Sequence, residues 1–90
     1  MQFEEIKSVS QIRSPQLKAL WHAKKGNWEA AHEIAQSEEG TWDYDRIHAY
    51  LHRLEGDIFN AGWWYNRINV EFPKISLDQE WAELWEKYSA

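Results

Sequence analysis

Apolar residues recur along the chain at intervals of three and four, the spacing that places side chains on one face of a helix. No stretch alternates apolar and polar residues in the way that strands do. The pattern therefore predicts an all-α fold of about five helices. Their apolar stripes are Leu17, Leu20 and Trp21; Trp28, Ala31, Ile34 and Ala35; Tyr44, Ile47, His48, Leu51 and Leu54; Ile58, Ala61, Trp64, Tyr65 and Ile68; and Leu77, Trp81, Leu84, Trp85 and Tyr88.

At 90 residues, the chain is predicted to form a single helical domain over residues 1–90. Two helical hairpins are expected within about residues 12–75, and a C-terminal capping helix over about 77–88. Ser14-Pro15 is typical of a helix start, and Ser76 with Gln79 resembles a capping box. The first dozen residues are ambiguous, since the spacing of their apolar residues also fits a short packed helix.

Two turns between helices have the same chemistry. Gly26-Asn27 and Gly56-Asp57 each follow one apolar stripe and precede the next. Glycine adopts the left-handed backbone that ends many helices, so we expect a positive φ at Gly56. Asn and Asp favour the position before a helix, where their side chains accept backbone hydrogen bonds. Asn27 and Asp57 are therefore expected to cap the helices that follow.

These turns belong to an internal repeat with an offset of 30 residues. Residues 20–31 align with residues 50–61, and each copy contains an apolar pair, a histidine, the glycine turn and an alanine. This order is typical of an antiparallel αα-hairpin, in which alanine lets the two helices approach closely. Such hairpins stack on one another, because none can bury its apolar face alone. The repeat thus predicts antiparallel hairpins packed side by side.

The second copy resembles a tetratricopeptide hairpin. Gly56-Asp57, Ala61, Tyr65, Ile68 and Pro73 follow at that family's spacing, and the resemblance extends over roughly residues 12–75. The first copy keeps Gly26, Trp28 and Ala31 and then departs from the pattern. The resemblance implies a tetratricopeptide-like stack.

The chain also resembles a family of small bacterial helical proteins. The residues that carry this resemblance are the segments WEAAHEIAQ at 28–36, HAYLHRLEGD at 48–57, Asn60-Ala61 and WYNR at 64–67. It implies a compact helical protein and brings no activity with it. Gly62-Trp63 stands where that family usually reads differently, which points to a surface particular to this chain.

Composition narrows the function classes. Seven Trp, four Tyr and three Phe make up 16% of the chain, a content that favours a packed core over disorder. Without cysteine, disulfides, thiolate metal sites and cysteine nucleophiles are excluded. The net charge of −5, with no basic cluster longer than two residues, argues against nucleic acid as a partner. No apolar run approaches ~20 residues and no leader pattern is present, so we expect no membrane partner and a cytoplasmic location.

A cluster of histidines is the first candidate for chemistry. His48 and His52 are four residues apart and so share a helix face, with Glu55 one turn further. Hairpin stacking brings His32 towards them. Histidines and carboxylates bind metals and act as general acids or bases, which makes His32, His48, His52 and Glu55 candidate catalytic residues, and His48 and His52 candidate metal ligands.

The alternative for this cluster is a buried polar network that fixes helix packing. On that interpretation Arg53–Glu or Arg67–Glu ion pairs lie at its edge. Either way we expect His48 to be buried, to face the fourth helix near Ala61 and Tyr65, and to have a lowered pKa unless a carboxylate partner reverses the sign.

The second candidate is an additional apolar stripe on the fourth helix. Phe59, Trp63 and Val70 recur there at spacings of four and seven, away from the core stripe. They are expected either to bind a partner or to be covered by other parts of the chain, namely Phe3 and Ile6 of the N-terminal segment or Trp81 and Trp85 of the last helix.

The function that the sequence favours is a small tetratricopeptide-like interaction module. It binds a protein or peptide, or a second copy in a homodimer, through an aromatic face, and it needs no cofactor. The alternative is an enzyme or a small-ligand or metal-binding protein built on the histidine cluster. The absence of a Ser-His-Asp order, a phosphate loop or a calcium loop leaves the enzyme less favoured.

Overall fold

Five α-helices form the molecule, as the periodicity predicts. A computed structural model describes residues 2–90, and this part of the chain contains no strand. Two short 3₁₀ turns, Phe3–Glu5 and Val9–Gln11, precede the helices. None of the helices in residues 2–90 has the length and apolar composition needed to cross a membrane. The helices are α1 Pro15–Lys24, α2 Trp28–Ser37, α3 Trp42–Leu54, α4 Ile58–Arg67 and α5 Leu77–Ser89.

Glycine ends α1 and α3 in the predicted way. Gly26 has a φ of +82° and Gly56 a φ of +87°. Behind each glycine the chain closes a Schellman motif, since the next amide donates back to the carbonyl of His22 or His52. The predicted left-handed turns are therefore confirmed, and they reverse the chain between α1 and α2 and between α3 and α4.

Side-chain caps form at the start of three of the five α-helices. The side chains of Ser14, Asp57 and Ser76 each accept a backbone hydrogen bond at the start of a helix. Asn27 occupies the equivalent position before α2, but its side chain makes no capping hydrogen bond. The prediction for Asn27 is wrong in that respect. Thr41 likewise precedes α3 without a side-chain cap.

Helices α1 to α4 each pack on the next helix in the chain, whereas α5 packs on α1 and α3. α1 packs on α2, α2 on α3 and α3 on α4, while α1 and α3 also meet each other. Ala31, Ala49 and Ala61 have no solvent exposure, in line with the close helix approach expected at alanine. α5 packs across α1 and α3. The last helix therefore covers one side of the stack and leaves α4 at its end.

Tryptophan side chains connect neighbouring elements in two ways, by hydrogen bonds from the indole N–H and by ring-to-ring packing. The indole of Trp28 on α2 donates to the Leu51 carbonyl of α3, and that of Trp81 on α5 donates to the Leu20 carbonyl of α1. Phe3 packs its ring edge-on against Trp81 and Trp85. The N-terminal segment and α5 thus cover each other rather than the outer face of α4.

A buried carboxylate ties α5 to the stack. Glu80 is 1% exposed and accepts hydrogen bonds or ion pairs from three side chains. They are Arg53 at 2.7 Å, Arg46 at 2.8 Å and the Tyr65 hydroxyl at 2.5 Å. Burial and the hydrogen bond to Glu80 raise the pKa of Tyr65 well above its ordinary value, so the phenol stays a donor. Arg53 thus pairs with a glutamate, but the pair joins α3 to α5 and does not lie at the edge of the histidine cluster, where it was expected.

Candidate functional site

Three histidines from two helices converge between α2, α3 and α4. His48 and His52 lie one turn apart on α3, and the packing of α2 on α3 brings in His32. One ring nitrogen from each residue lies within 4.8 Å of the other two. The closest pair is Nε2 of His32 and Nε2 of His48, at 3.1 Å. The predicted approach of His32 to the α3 histidines is confirmed.

Two tryptophans hold these rings in place. Trp28 stacks on His32 with ring centroids 4.6 Å apart, and Trp64 of α4 stacks on His48 at 3.9 Å. The rings of His48 and His52 stack in turn at 4.9 Å. His48 therefore faces α4 as expected, and its ring partner is Trp64. One of these ring contacts was indicated by the sequence, because Trp28 is four residues before His32 and therefore lies on the same face of α2.

Glu55 joins the cluster at its exposed edge. Its Oε1 lies 2.8 Å from Nδ1 of His52. A carboxylate in that place favours a proton on Nδ1. Asp57 also has a carboxylate oxygen within 4.8 Å of ligand atoms of His52 and Glu55. Three histidines thus lie beside two carboxylates.

Burial keeps the inner histidines neutral. Desolvation lowers the pKa of His48 from 6.5 to about 3, with further lowering by electrostatic interaction with His32, His52 and Arg67. Desolvation also lowers the pKa of His32, although Glu55 and Glu33 act in the opposite direction. Neutral imidazoles each carry one free lone pair, which is the form that binds metals. No carboxylate reverses the shift, so the lowered pKa expected for His48 is the direction found.

The cluster does not satisfy all of its own nitrogens. Nδ1 of His48 is buried and has no hydrogen-bond partner. Leaving a buried polar atom unpaired costs about 1–3 kcal/mol, so packing alone is a poor reason to place a histidine here. The Arg67–Glu pair expected at the edge is also not what forms. Arg67 instead lies over the rings of Trp63 and Trp64, with its Cζ 5.4 and 5.2 Å from their centroids.

The outer face of α4 is the second candidate site. Phe59 is 87% exposed, Ile58 56% and Trp63 52%. Of the two alternatives left open for Phe59 and Trp63, cover by the N-terminal segment or the last helix is therefore not what residues 2–90 show. Ile58 was expected on the core stripe, and that prediction is wrong because this first residue of α4 is more than half exposed.

Val70 does not belong to this face. α4 ends at Arg67, Asn69 adopts a φ of +60°, and the Val70 amide closes a Schellman motif on the carbonyl of Tyr65. Val70 is consequently partly buried against the cluster formed by Ala49, Ala61, Trp64 and Tyr65. Its assignment to the exposed stripe assumed a helix that continues through residue 70, and that assumption is wrong.

Comparison with known proteins adds nothing to this geometry. No family model matches the chain, and no curated protein or solved structure shows significant similarity to it. Both candidate sites must therefore be judged on their own residues.

Proposed function

We propose that the protein is a small tetratricopeptide-like interaction module that associates through the outer face of α4, and that its partner is a second copy of itself. The observation that carries this proposal is the exposure of Ile58, Phe59 and Trp63 on one helix. Monomeric proteins seldom leave contiguous large apolar side chains in water, and such patches mark interaction sites.

The order of packing explains why this face is free. Stacked hairpins bury each helix between neighbours, and the terminal helix of a stack needs a polar outer face or a cover. α5 provides a cover across α1 and α3, whereas α4 packs extensively only on α3 within residues 2–90. The end of the stack is therefore apolar and uncovered. A second helix placed there continues the packing that joins α3 to α4.

The pattern of charges and small residues on α4 suits a second copy in antiparallel orientation. Asp57 stands at its N-terminal end and Arg67 at its C-terminal end. An antiparallel copy places each of these charges opposite its counterpart of the other sign. Gly62 lies at the middle of the helix, and a Cβ added there would meet nothing within 4 Å. A two-fold axis near Gly62 is the simplest closed arrangement.

The area of the face sets the expected strength. Phe59 and Trp63 together expose about 300 Å² of aromatic surface, taking about 200 Å² for each whole ring. A two-fold pair thus removes about 600 Å² of it, for a gross gain of about 15 kcal/mol. Association costs about 4–15 kcal/mol in lost motion before side-chain ordering is counted. The dimer is therefore expected to be weak, in the micromolar range.

Sedimentation velocity over a concentration series from about 5 to 500 µM tests the proposal. We expect the wild-type sedimentation coefficient to rise with concentration, and the double variant Phe59→Ala with Trp63→Ala to remain monomeric. A matched control replaces Glu83 and Glu86 with Ala at exposed positions of α5. Circular dichroism checks that both variants keep their helices. A wild-type monomer at the highest concentration contradicts the proposal, as does a dimer that the aromatic variant leaves unchanged.

A further inference from the structure

We propose that His32, His48 and His52 bind one divalent transition metal ion, with Zn²⁺ as the best fit, and that Glu55 positions His52 for this role. The site lies between α2, α3 and α4 and does not involve the exposed face of α4. It is therefore a separate activity of the protein, independent of self-association.

The spacing of the nitrogens is close to that of a metal site. In tetrahedral zinc sites with Zn–N distances of about 2.0–2.1 Å, two ligand nitrogens lie about 3.3 Å apart. Nε2 of His32 and Nε2 of His48 are 3.1 Å apart, close to one edge of that tetrahedron. The three ligand atoms all lie within 4.8 Å of one another, so the longer separations need to shorten by at most about 1.5 Å to match those of a tetrahedral site.

Metal binding requires one change of tautomer. Nε2 of His32 and Nε2 of His48 share one hydrogen bond, so one of these two nitrogens carries the proton. For both Nε2 atoms to bind the ion as neutral ligands, that histidine holds its proton on Nδ1 instead. The contact between Nδ1 of His52 and Glu55 leaves Nε2 of His52 free to coordinate. Zinc-bound histidines usually donate their second N–H to a carboxylate in this way. Glu55 is thus a positioning residue and not a ligand.

The choice of metal follows from the donor atoms. Three imidazole nitrogens suit Zn²⁺ and the neighbouring transition metals, whereas Ca²⁺ and Mg²⁺ need oxygen ligands. Among the charged groups that affect the histidine pKa values, Glu33 and Glu55 favour a cation and Arg67 opposes it. Three protein ligands also leave one coordination position for water or another ligand, as in catalytic rather than structural zinc sites.

The rings are preorganised by their neighbours. Trp28 and Trp64 stack on His32 and His48, which fixes two of the three ligands before any ion arrives. Functional sites need this support, because a ligand that is free to rotate must be ordered on binding.

Calorimetric titration of Zn²⁺ into the full chain, purified without a histidine tag, tests the proposal. We expect one Zn²⁺ per chain and at least a 100-fold loss of affinity in His32→Ala, whose side chain is partly exposed. Glu55→Gln should weaken binding about 10–100-fold, the usual effect of removing a carboxylate behind a ligand. The matched control is His22→Gln, which removes the one histidine outside the cluster and should leave binding unchanged.

Visible absorption of the Co²⁺-loaded protein supplies a second readout, which reports the coordination geometry directly, and circular dichroism checks that each variant is folded. Tetrahedral or five-coordinate Co²⁺ absorbs much more strongly than hexaaqua Co²⁺, so wild type and His22→Gln should show intense bands that His32→Ala lacks. Absence of stoichiometric Zn²⁺ binding overturns the proposal. So does equal loss of binding in His22→Gln and His32→Ala, since that outcome places the ion elsewhere.

Discussion

Replacing Glu80 with Gln removes the charge at the centre of the α3–α4–α5 junction while keeping the size of the side chain. Glu80 is 1% exposed, and its two guanidinium partners, Arg46 and Arg53, are only 13% and 14% exposed. Removing one partner of a buried ion pair costs about 3–5 kcal/mol, because the remaining charge stays desolvated. A domain of this length is stable by about 5–13 kcal/mol in total. We therefore expect Glu80→Gln to remove about a quarter or more of the stability.

Urea unfolding followed by far-ultraviolet circular dichroism measures this loss. In a parallel thermal unfolding experiment, the melting temperature of the variant should fall by at least about 12 °C, at roughly 4–8 °C per kcal/mol for a domain of this size. Tyr65→Phe deletes one hydrogen bond to the carboxylate and is expected to cost about 1.5–3 kcal/mol. The two losses should not add in the double variant, because both act on one network.

The control for this series is Glu83→Gln, on the exposed side of the same helix, which should stay within about 0.5 kcal/mol of wild type. A loss below about 1 kcal/mol in Glu80→Gln refutes the reasoning, since it means that Arg46 and Arg53 are solvated without the carboxylate.

Two further predictions concern pH and the turns. The folded pKa of His48 is about 3 against 6.5 unfolded, so the unfolded chain takes up the proton first and stability falls as pH drops below 6.5. The fall should reach about 1.4 kcal/mol per pH unit for this one proton, and His48→Gln should flatten the profile measured by urea unfolding between pH 6.5 and 5; an unflattened profile contradicts the pKa. Gly56→Ala should cost about 1 kcal/mol because of its φ of +87°, whereas the same change at Gly62, within α4, should stabilise by up to about 1 kcal/mol. Equal thermal midpoints in dilute samples of the two variants contradict the assignment of the turn.

Local chemistry was enough to predict the helices and most of their ends. Ser14, Gly26, Gly56 and Ser76 act through neighbours four or fewer positions away in the chain, or through their own backbone preferences. The wrong prediction for Val70 also has a local cause. It depends on the left-handed conformation of Asn69, which asparagine permits but does not require.

Long-range pairs were harder to predict. In the sequence, Glu80 is an ordinary acidic residue near the start of a helix. Its partners Arg53 and Arg46 are 27 and 34 positions away. No periodicity signals such a pair.

The histidine cluster lies between these two cases. The spacing of His48 and His52 fixes their shared face, whereas the place of His32 follows only once α2 is known to pack on α3. The sequence was enough to identify these residues as candidates, but the 3.1 Å contact between His32 and His48 could not be predicted from it.

Disulfide trapping at Gly62 tests the central claim, the pairing of α4 with its own copy, most directly. The chain has no cysteine, so Gly62→Cys introduces a single thiol at the middle of the helix, where its side chain meets no neighbour. A disulfide forms only when the two Cα atoms come within about 4.4–6.8 Å, so a covalent dimer reports the two-fold contact. Under mild oxidation Gly62→Cys should give a covalent dimer that the Phe59→Ala and Trp63→Ala changes suppress, while Glu86→Cys on α5 stays monomeric. Equal trapping at positions 62 and 86 would contradict the account.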